Sequence, residues 1–418
     1  SNSGGSNSGG SGAGGEWAGG GSQSGGAGSG GETSSGGSGS GGETSSGGSG
    51  SGGGSTGGSS GVEGGYWQFG TVRSDVASEV AVDADGSVFV AGVLDNLSAT
   101  PGFIRKYDSE GTELWSQALT VAPEDIDVDV DDGSVVVTGG MIGTGFVVKF
   151  DTDGEELWRY ENLNWALKDV QVDPAGFVFT SGTQRDANQL QDSVFLKFSS
   201  GGGFAQGCAY GLFEANDAYN GTVLGADGGV YLFMRSESTA FTGAHVAKIS
   251  QVDCSTGYDV ATPAVDQNGL PFPGAAVNHV TDDGEGSIYV VGRYPSQGRD
   301  VGFVTQYVVI NGELYYGWTN SFNAANNSST LPSSATVTDD GRVFITGQIT
   351  PGDDVFVHIL TSAGAQGSMP VFGTAGFDVG NSIAVGDGRV YVSGVTTGAF
   401  IGTNAGLGDA FVSHFPLP

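Results

Sequence analysis

Histidines and carboxylates are the side chains here whose types could do chemistry, and their spacing decides which chemistry is open. Four histidines occur, His245, His279, His358 and His414. No two of them share a metal-ligand spacing, and no Cys/His cluster accompanies them. Three stand in one kind of phrase, HVAKIS, FVHILT and FVSHFP, and His414 takes the place that Lys106 and Lys149 hold in related phrases. A recurring strand position points to packing or exposure rather than catalysis. His279 stands apart, in AAVNHVTDDG, a different kind of strand. No GxSxG nucleophile elbow and no Walker-type loop is present.

The acids offer more. DIDVDVDDG (125–133) alternates acidic and apolar residues, which places Asp125, Asp127, Asp129 and Asp131 on one strand face. Two readings are open: an exposed acidic face, or a cation-binding rim. DTDGEE (151–156) begins like a calcium loop but lacks the later acidic ligand, so a hairpin turn is expected. Asp75, Asp217 and Asp378 recur at a similar phase before short strands and are expected to brace the fold. No acid is distinguished from the repeat as a catalytic group. The expectation is therefore no catalytic residue, no assigned metal ligand and no organic cofactor, with Ca2+ at the acidic turns as the one ion the composition admits.

The balance of charge limits the partners. Fourteen Lys and Arg against 46 Asp and Glu give a formal charge of −32, so a phosphate backbone would be repelled and nucleic acid is excluded. No run of about 18 apolar residues exists to span a membrane. The chain opens on Ser1, and the expectation is that any signal peptide has been removed. The only cysteines are Cys208 and Cys254. In a Lys-poor, Gly/Ser-led chain they are expected to pair in an oxidising exterior; two separate thiols are the alternative.

The elements that carry these residues repeat. DGSVFVAG (85–92), DGSVVVTG (132–139), AGFVFTSG (175–182), DGGVYLFM (227–234), EGSIYVVG (285–292), DGRVFITG (340–347) and DGRVYVSG (387–394) are seven versions of one phrase. Their turn glycines lie 43 to 58 residues apart. Before each comes a short alternating strand, and the Gly permits the positive φ of a tight hairpin. A third strand follows, such as FIRKYD or FVVKFD, and then a fourth, such as GTELWSQ or GEELWRY. Four short antiparallel strands at this period describe a propeller blade.

The seventh unit has no fourth strand after its third, which ends at Phe415, whereas GGYWQFGT (64–71) precedes the first unit as a surplus strand. The fold expected is an all-β, seven-bladed β-propeller over 66–418, closed by Tyr66–Thr71 as the outermost strand of the last blade, with a Gly/Ser-rich arm over 1–65. Closure of this kind leaves no first or last blade unpartnered.

The stretches FGTAGFDVGNSIAVGDGRVYVSGVTTG and GLGDAFVSHF resemble the bacterial seven-bladed β-propeller repeat (SBBP-type) family. The resemblance covers about Tyr66 to Pro418 and is strongest in the first, sixth and seventh units. The fourth unit departs from it with LFMRS, so a modified edge is expected there. DSEGTELW and DTDGEELW also resemble quinoprotein-type propellers, but only some units here carry Trp in the fourth strand. The family resemblance implies a secreted or surface propeller and no established reaction.

The arm has a rule of its own: Gly pairs recur every five or six residues, and GGETSSGGSGS occurs at 30–40 and again at 41–51. A flexible Gly/Ser stalk of this length would reach about 40–45 Å. The reading preferred is an assembly arm that links extracellular subunits into a filament, with Trp17, the lone aromatic of the tract, as its anchor. Two alternatives stay open: a surface propeller on a flexible, lipoprotein-like stalk that binds a glycan or a cell-envelope partner, and an extracellular enzyme acting on polysaccharide.

Overall fold

Each repeated phrase folds as the second strand of a four-stranded antiparallel sheet, and seven such sheets form a ring with neighbouring first strands side by side around the axis. The computed structural model describes residues 64–418 apart from 96–97, 99–100, 186–187, 212–215, 238–241, 262–263 and 325–327. Residues 1–63 of the arm, Trp17 among them, lie outside the described residues. Among those described there is no helix, and so none long and apolar enough to cross a membrane. Blade 1 is built of Val76–Val82, Val88–Val93, Gly102–Tyr107 and Glu113–Leu119, running from the axis to the rim. The other blades repeat this order, and the seven turn glycines between first and second strands all have positive φ.

The last blade takes strands from both ends of the chain. Asp378–Gly386, Arg389–Thr396 and Asp409–Pro416 are joined at the rim by Gly65–Phe69, in the register Gly65↔His414 to Phe69↔Ala410. The strand ends two residues earlier than the sequence suggests because Thr71 has other work. Its amide and hydroxyl both donate to the buried Asp75 carboxylate, at 2.5 and 3.1 Å. Asp378 is bound in the same way by Thr374. The bracing role expected of Asp75 and Asp378 is what these bonds do; the side chain of Asp217 is outside the described set.

The apolar core lies between the blades. Seven clusters of buried side chains each draw on two neighbouring sheets; one, for example, joins Phe89 and Ile104 of blade 1 to Ile126 and Phe146 of blade 2. That is why the second strands, and the middles of the third, are mostly apolar without alternation: both faces are covered.

Every first strand also carries a β-bulge, which inserts one residue: Ser78, Glu124, Lys168, Asn220, Asn278, Ser333 and Asn381 in turn. The bulge drives a carbonyl against the residue that ends the repeated phrase. A Cβ on Gly92, Gly139, Gly182, Gly292, Gly347 or Gly394 would lie closer than 3.0 Å to that carbonyl oxygen. The closing Gly of VAG, VTG and VSG is a packing requirement. Blade 4 has Met234 there, opposite Tyr219, and keeps its four strands.

At the rim, four of the seven seams are locked by a recurring pair. Trp115 of blade 1 lies on Gly154 of blade 2, with its Nε1 donating to the Thr152 carbonyl at 3.0 Å. Trp158 lies on Gly202 and donates to the Ser200 carbonyl at 3.0 Å; Trp318 lies on Gly364, and Trp67 on Gly111. Two residues after the Trp, a polar side chain bonds the carbonyl of the same glycine: Gln117 to Gly154, Tyr160 to Gly202 and Asn320 to Gly364.

Candidate site in the central channel

A first strand is the inner edge of its sheet, so its channel-facing amides have no ladder partner and need another acceptor. The preceding blade supplies it. Asp125 accepts from the Val170 amide and Asp127 from the Val172 amide, each at 2.7 Å. One blade on, Asp169 accepts from the Thr222 amide at 2.9 Å and Gln171 from the Leu224 amide at 3.0 Å. The Tyr219 hydroxyl donates to Asp169 as well, at 2.6 Å. Glu79 bonds Ser382, and His279 bonds the backbone of Ala335. The bulge residues form a parallel tier: Asn278 donates to the Pro332 carbonyl at 2.5 Å, Asn381 to the Ala77 carbonyl at 3.0 Å, and Ser333 to the Gly380 carbonyl. Lys168 and Glu124 pair at 2.6 Å.

Most of these groups, though not Asn381 or Ser382, line a cavity of about 690 Å³. Removal from bulk water raises the carboxyl pKa values, and the neighbouring acids raise several of them further. Glu79 is pushed up to about 8 and Asp127 to about 7. Asp282 rises to about 6, Asp125 lies well above its ordinary value, and Asp169 is also raised. Burial drives His279 the other way, down to about 4, so it is neutral. A carboxyl that keeps a proton near neutrality is what a general acid needs. However, Asp125 and Asp169 are within hydrogen-bonding distance of each other. The two carboxyls flanking a scissile glycosidic bond stand about 5–9.5 Å apart.

The channel corrects the sequence reading at two points. Residues distinct from the repeat do converge on the axis: Glu79, Asp125, Asp127, Asp169 and His279. The signal was available in the column after each bulge, which reads Glu79, Asp125, Asp169, Gly221, His279, Ser334 and Ser382. Nor do the acids of DIDVDVDDG share one exposed face. The strand ends at Val128, so only Asp125 and Asp127 face the channel. Asp129 opens the turn and is buried against Lys149 at 2.8 Å, while Asp131 is exposed.

The remaining candidates lie elsewhere. His245 and His358 are buried in third strands, and His358, stacked on Phe322 with centroids 4.3 Å apart, is driven down to about 4 by burial. His414 sits between Trp67 and Tyr391. DTDGEE is a hairpin turn in which Asp151 accepts from the amides of Asp153 and Glu155. Among the described residues no three His, Cys, Asp or Glu side chains are arranged to hold a metal ion. Cys208 and Cys254 form a disulfide between blades 3 and 4.

No protein-family model and no curated protein matches the chain, so the resemblance to the bacterial repeat family stands on the quoted motifs alone. Solved structures do match in shape. Hydrazine synthase of Kuenenia stuttgartiensis is 11% identical with a TM-score of 0.56, covering 78% of this chain and 96% of that one. The polysaccharide lyase Uly1 is 9% identical with a TM-score of 0.52, over 84% of this chain and 92% of its own. A protein from Lactobacillus plantarum is 11% identical with a TM-score of 0.52, over 78% and 98%. What the chain shares with all three is the propeller fold.

Proposed function

We propose that the protein is a non-catalytic extracellular structural module, a rigid disc whose Gly-rich arm links one subunit to the next. The observation that carries the first part is the use made of the channel acids: Asp125, Asp127 and Asp169 each hold an edge amide of the following blade. Groups fixed in that way stiffen the ring and have little freedom to shuttle protons. The disulfide fits an oxidising exterior. The regular Gly pairs and the exact duplicate support a repeating contact unit in the arm.

A second reading, an enzyme acting on polysaccharide, draws on the protonated carboxyls in a cavity of about 690 Å³. Assays with glycosidase, lyase and dehydrogenase substrates separate the two. The expected result is no turnover; turnover abolished by Asp169→Asn would establish the enzyme instead.

Electron microscopy tests the arm. Filaments are expected from the full chain and monomers from a chain lacking residues 1–60, because a head-to-tail contact that does not close yields fibres. Trp17→Ala should weaken that contact by about 2 kcal/mol or more. Monomers in both preparations would return the arm to a tether.

A further inference from the structure

The rim lock of Trp on Gly is found among the described residues at four of the seven seams, those closed by Trp67, Trp115, Trp158 and Trp318; where blade 3 meets blade 4 it is absent, and the disulfide stands in its place. The fourth strand of blade 3, Phe204–Tyr210, has Gln206 at the Trp position, opposite Lys197 as Trp115 is opposite Lys106 and Trp158 opposite Lys149. Cys208 then falls two residues on, at the position of Gln117, Tyr160 and Asn320, the side chains that bond the carbonyl of the locked glycine. Cys254 falls at the place of that glycine. It lies in the turn between third and fourth strands with φ +59°, where Gly154 has +84°, Gly202 +81° and Gly364 +72°. A left-handed conformation is uncommon for a residue with a side chain, so Cys254 occupies a backbone site built for glycine. A two-point non-covalent lock has been replaced by one covalent bond between its two positions.

We propose that the seam between blades 3 and 4 is a redox-operated joint, which a dithiol reductant opens at the rim while the channel side stays tied. Cys254 is half-buried on the turn and Cys208 is buried, so a dithiol thiolate attacks Cys254 Sγ. The Cys208–Cys254 bond breaks, and Cys208 leaves as a thiolate and takes up a proton. The second dithiol sulfur then closes on the first, forming the reductant's own disulfide and releasing Cys254 as a thiol. Two protein thiols replace one disulfide, and the dithiol is oxidised. The Lys197–Gln251 bond at 2.7 Å is then the sulfur-free side-chain bond left between the two blades near the rim, without the Trp contact that Trp67, Trp115, Trp158 and Trp318 make at four of the seams. Near the axis, the Asp169–Thr222 and Gln171–Leu224 bonds contain no sulfur and persist. The joint is therefore hinged at the channel.

Hydrogen exchange and thermal melting of the full chain, with and without dithiothreitol, test this. With reduction confirmed by thiol titration, Tm should fall by about 5 °C, the scale expected for opening a loop of this length in a chain of this size. Protection should be lost in Phe204–Tyr210 and in the turn holding Cys254, and kept at Leu167 and Thr222. Full reduction with unchanged Tm and exchange, or a loss of protection spread evenly over all blades, would overturn the joint. The variant Gln206→Trp/Cys208→Gln/Cys254→Gly rebuilds the common lock without sulfur. Its rim should be as protected as that of the oxidised protein. A rim as open as in the reduced protein would show that the two locks are not equivalent and would overturn the assignment.

Discussion

Removing residues 1–60 should leave a disc with the same melting temperature, whereas removing 1–72 should leave a chain that aggregates. The twelve further residues carry the whole outer strand of blade 7. Trp67 stacks on Tyr107 at 5.5 Å and Phe69 meets Phe103 edge-on at 5.7 Å, so the strand also closes the seam to blade 1. Losing a large packed aromatic costs about 3–5 kcal/mol, and two of them approach the entire stability of an ordinary domain, about 5–15 kcal/mol. Asp75, fully buried, loses both Thr71 donors and keeps the Asp95 amide at 2.7 Å. The uncovered edge of Asp409–Pro416 becomes a template for pairing with another chain. Light scattering and melting of the two truncated chains decide the matter. Equal melting would mean that Gly65–Phe69 does not hold the ring shut.

The closure was legible in the sequence because it depends on counting strands, and the turn and strand signals of each repeat are local. The channel was not, because it depends on a bulge. Strict alternation assigns Asp125, Asp127, Asp129 and Asp131 to one face. The residue inserted at Glu124 and the turn beginning after Val128 break that pattern at both ends. The closing glycine of each phrase was visible as a letter, but its cause, a carbonyl pressed against it by the same bulge, needs the paired strand. The disulfide was read from composition and environment, whereas its place at a rim lock needs the register of Phe204–Tyr210 against its neighbour. The three third-strand histidines read as packing or exposed residues from their recurring strand position, a local property; in the structure His245 and His358 are buried and His414 lies between Trp67 and Tyr391.

Stability should fall as pH rises from about 6.5 to about 8.5, and Glu79→Gln should flatten that fall. A carboxyl whose folded pKa is raised contributes stability that is complete below its unfolded value and is lost as pH climbs through the folded one. Asp282, Asp127 and Glu79 reach about 6, 7 and 8, so the loss extends upward through neutrality. The buried histidines act in the opposite sense at lower pH. His279 and His358 are held near 4, so their contribution is complete above about 6.5 and is lost as pH falls toward 4. Between about 6.5 and 8.5 the histidines are largely neutral in both states, and Asp127 and Glu79 dominate. Each group alone could change stability by at most about 1.4 kcal/mol per pH unit. Glu79 and Asp127 are only half-buried, and solvent screening reduces the effect, so about 1–2 kcal/mol over the window is the expected size. Glu79 is the informative position because a glutamine can keep the bond to Ser382 without carrying charge. Asparagine at 125 or 169 would also alter the bonds to the next blade. Urea unfolding of both proteins across the window should give curves that separate as pH rises, with the variant the more stable and its advantage largest at the upper end. Parallel curves would mean that Glu79 does not titrate there, and the proton held at the axis would have to belong to another of the channel acids.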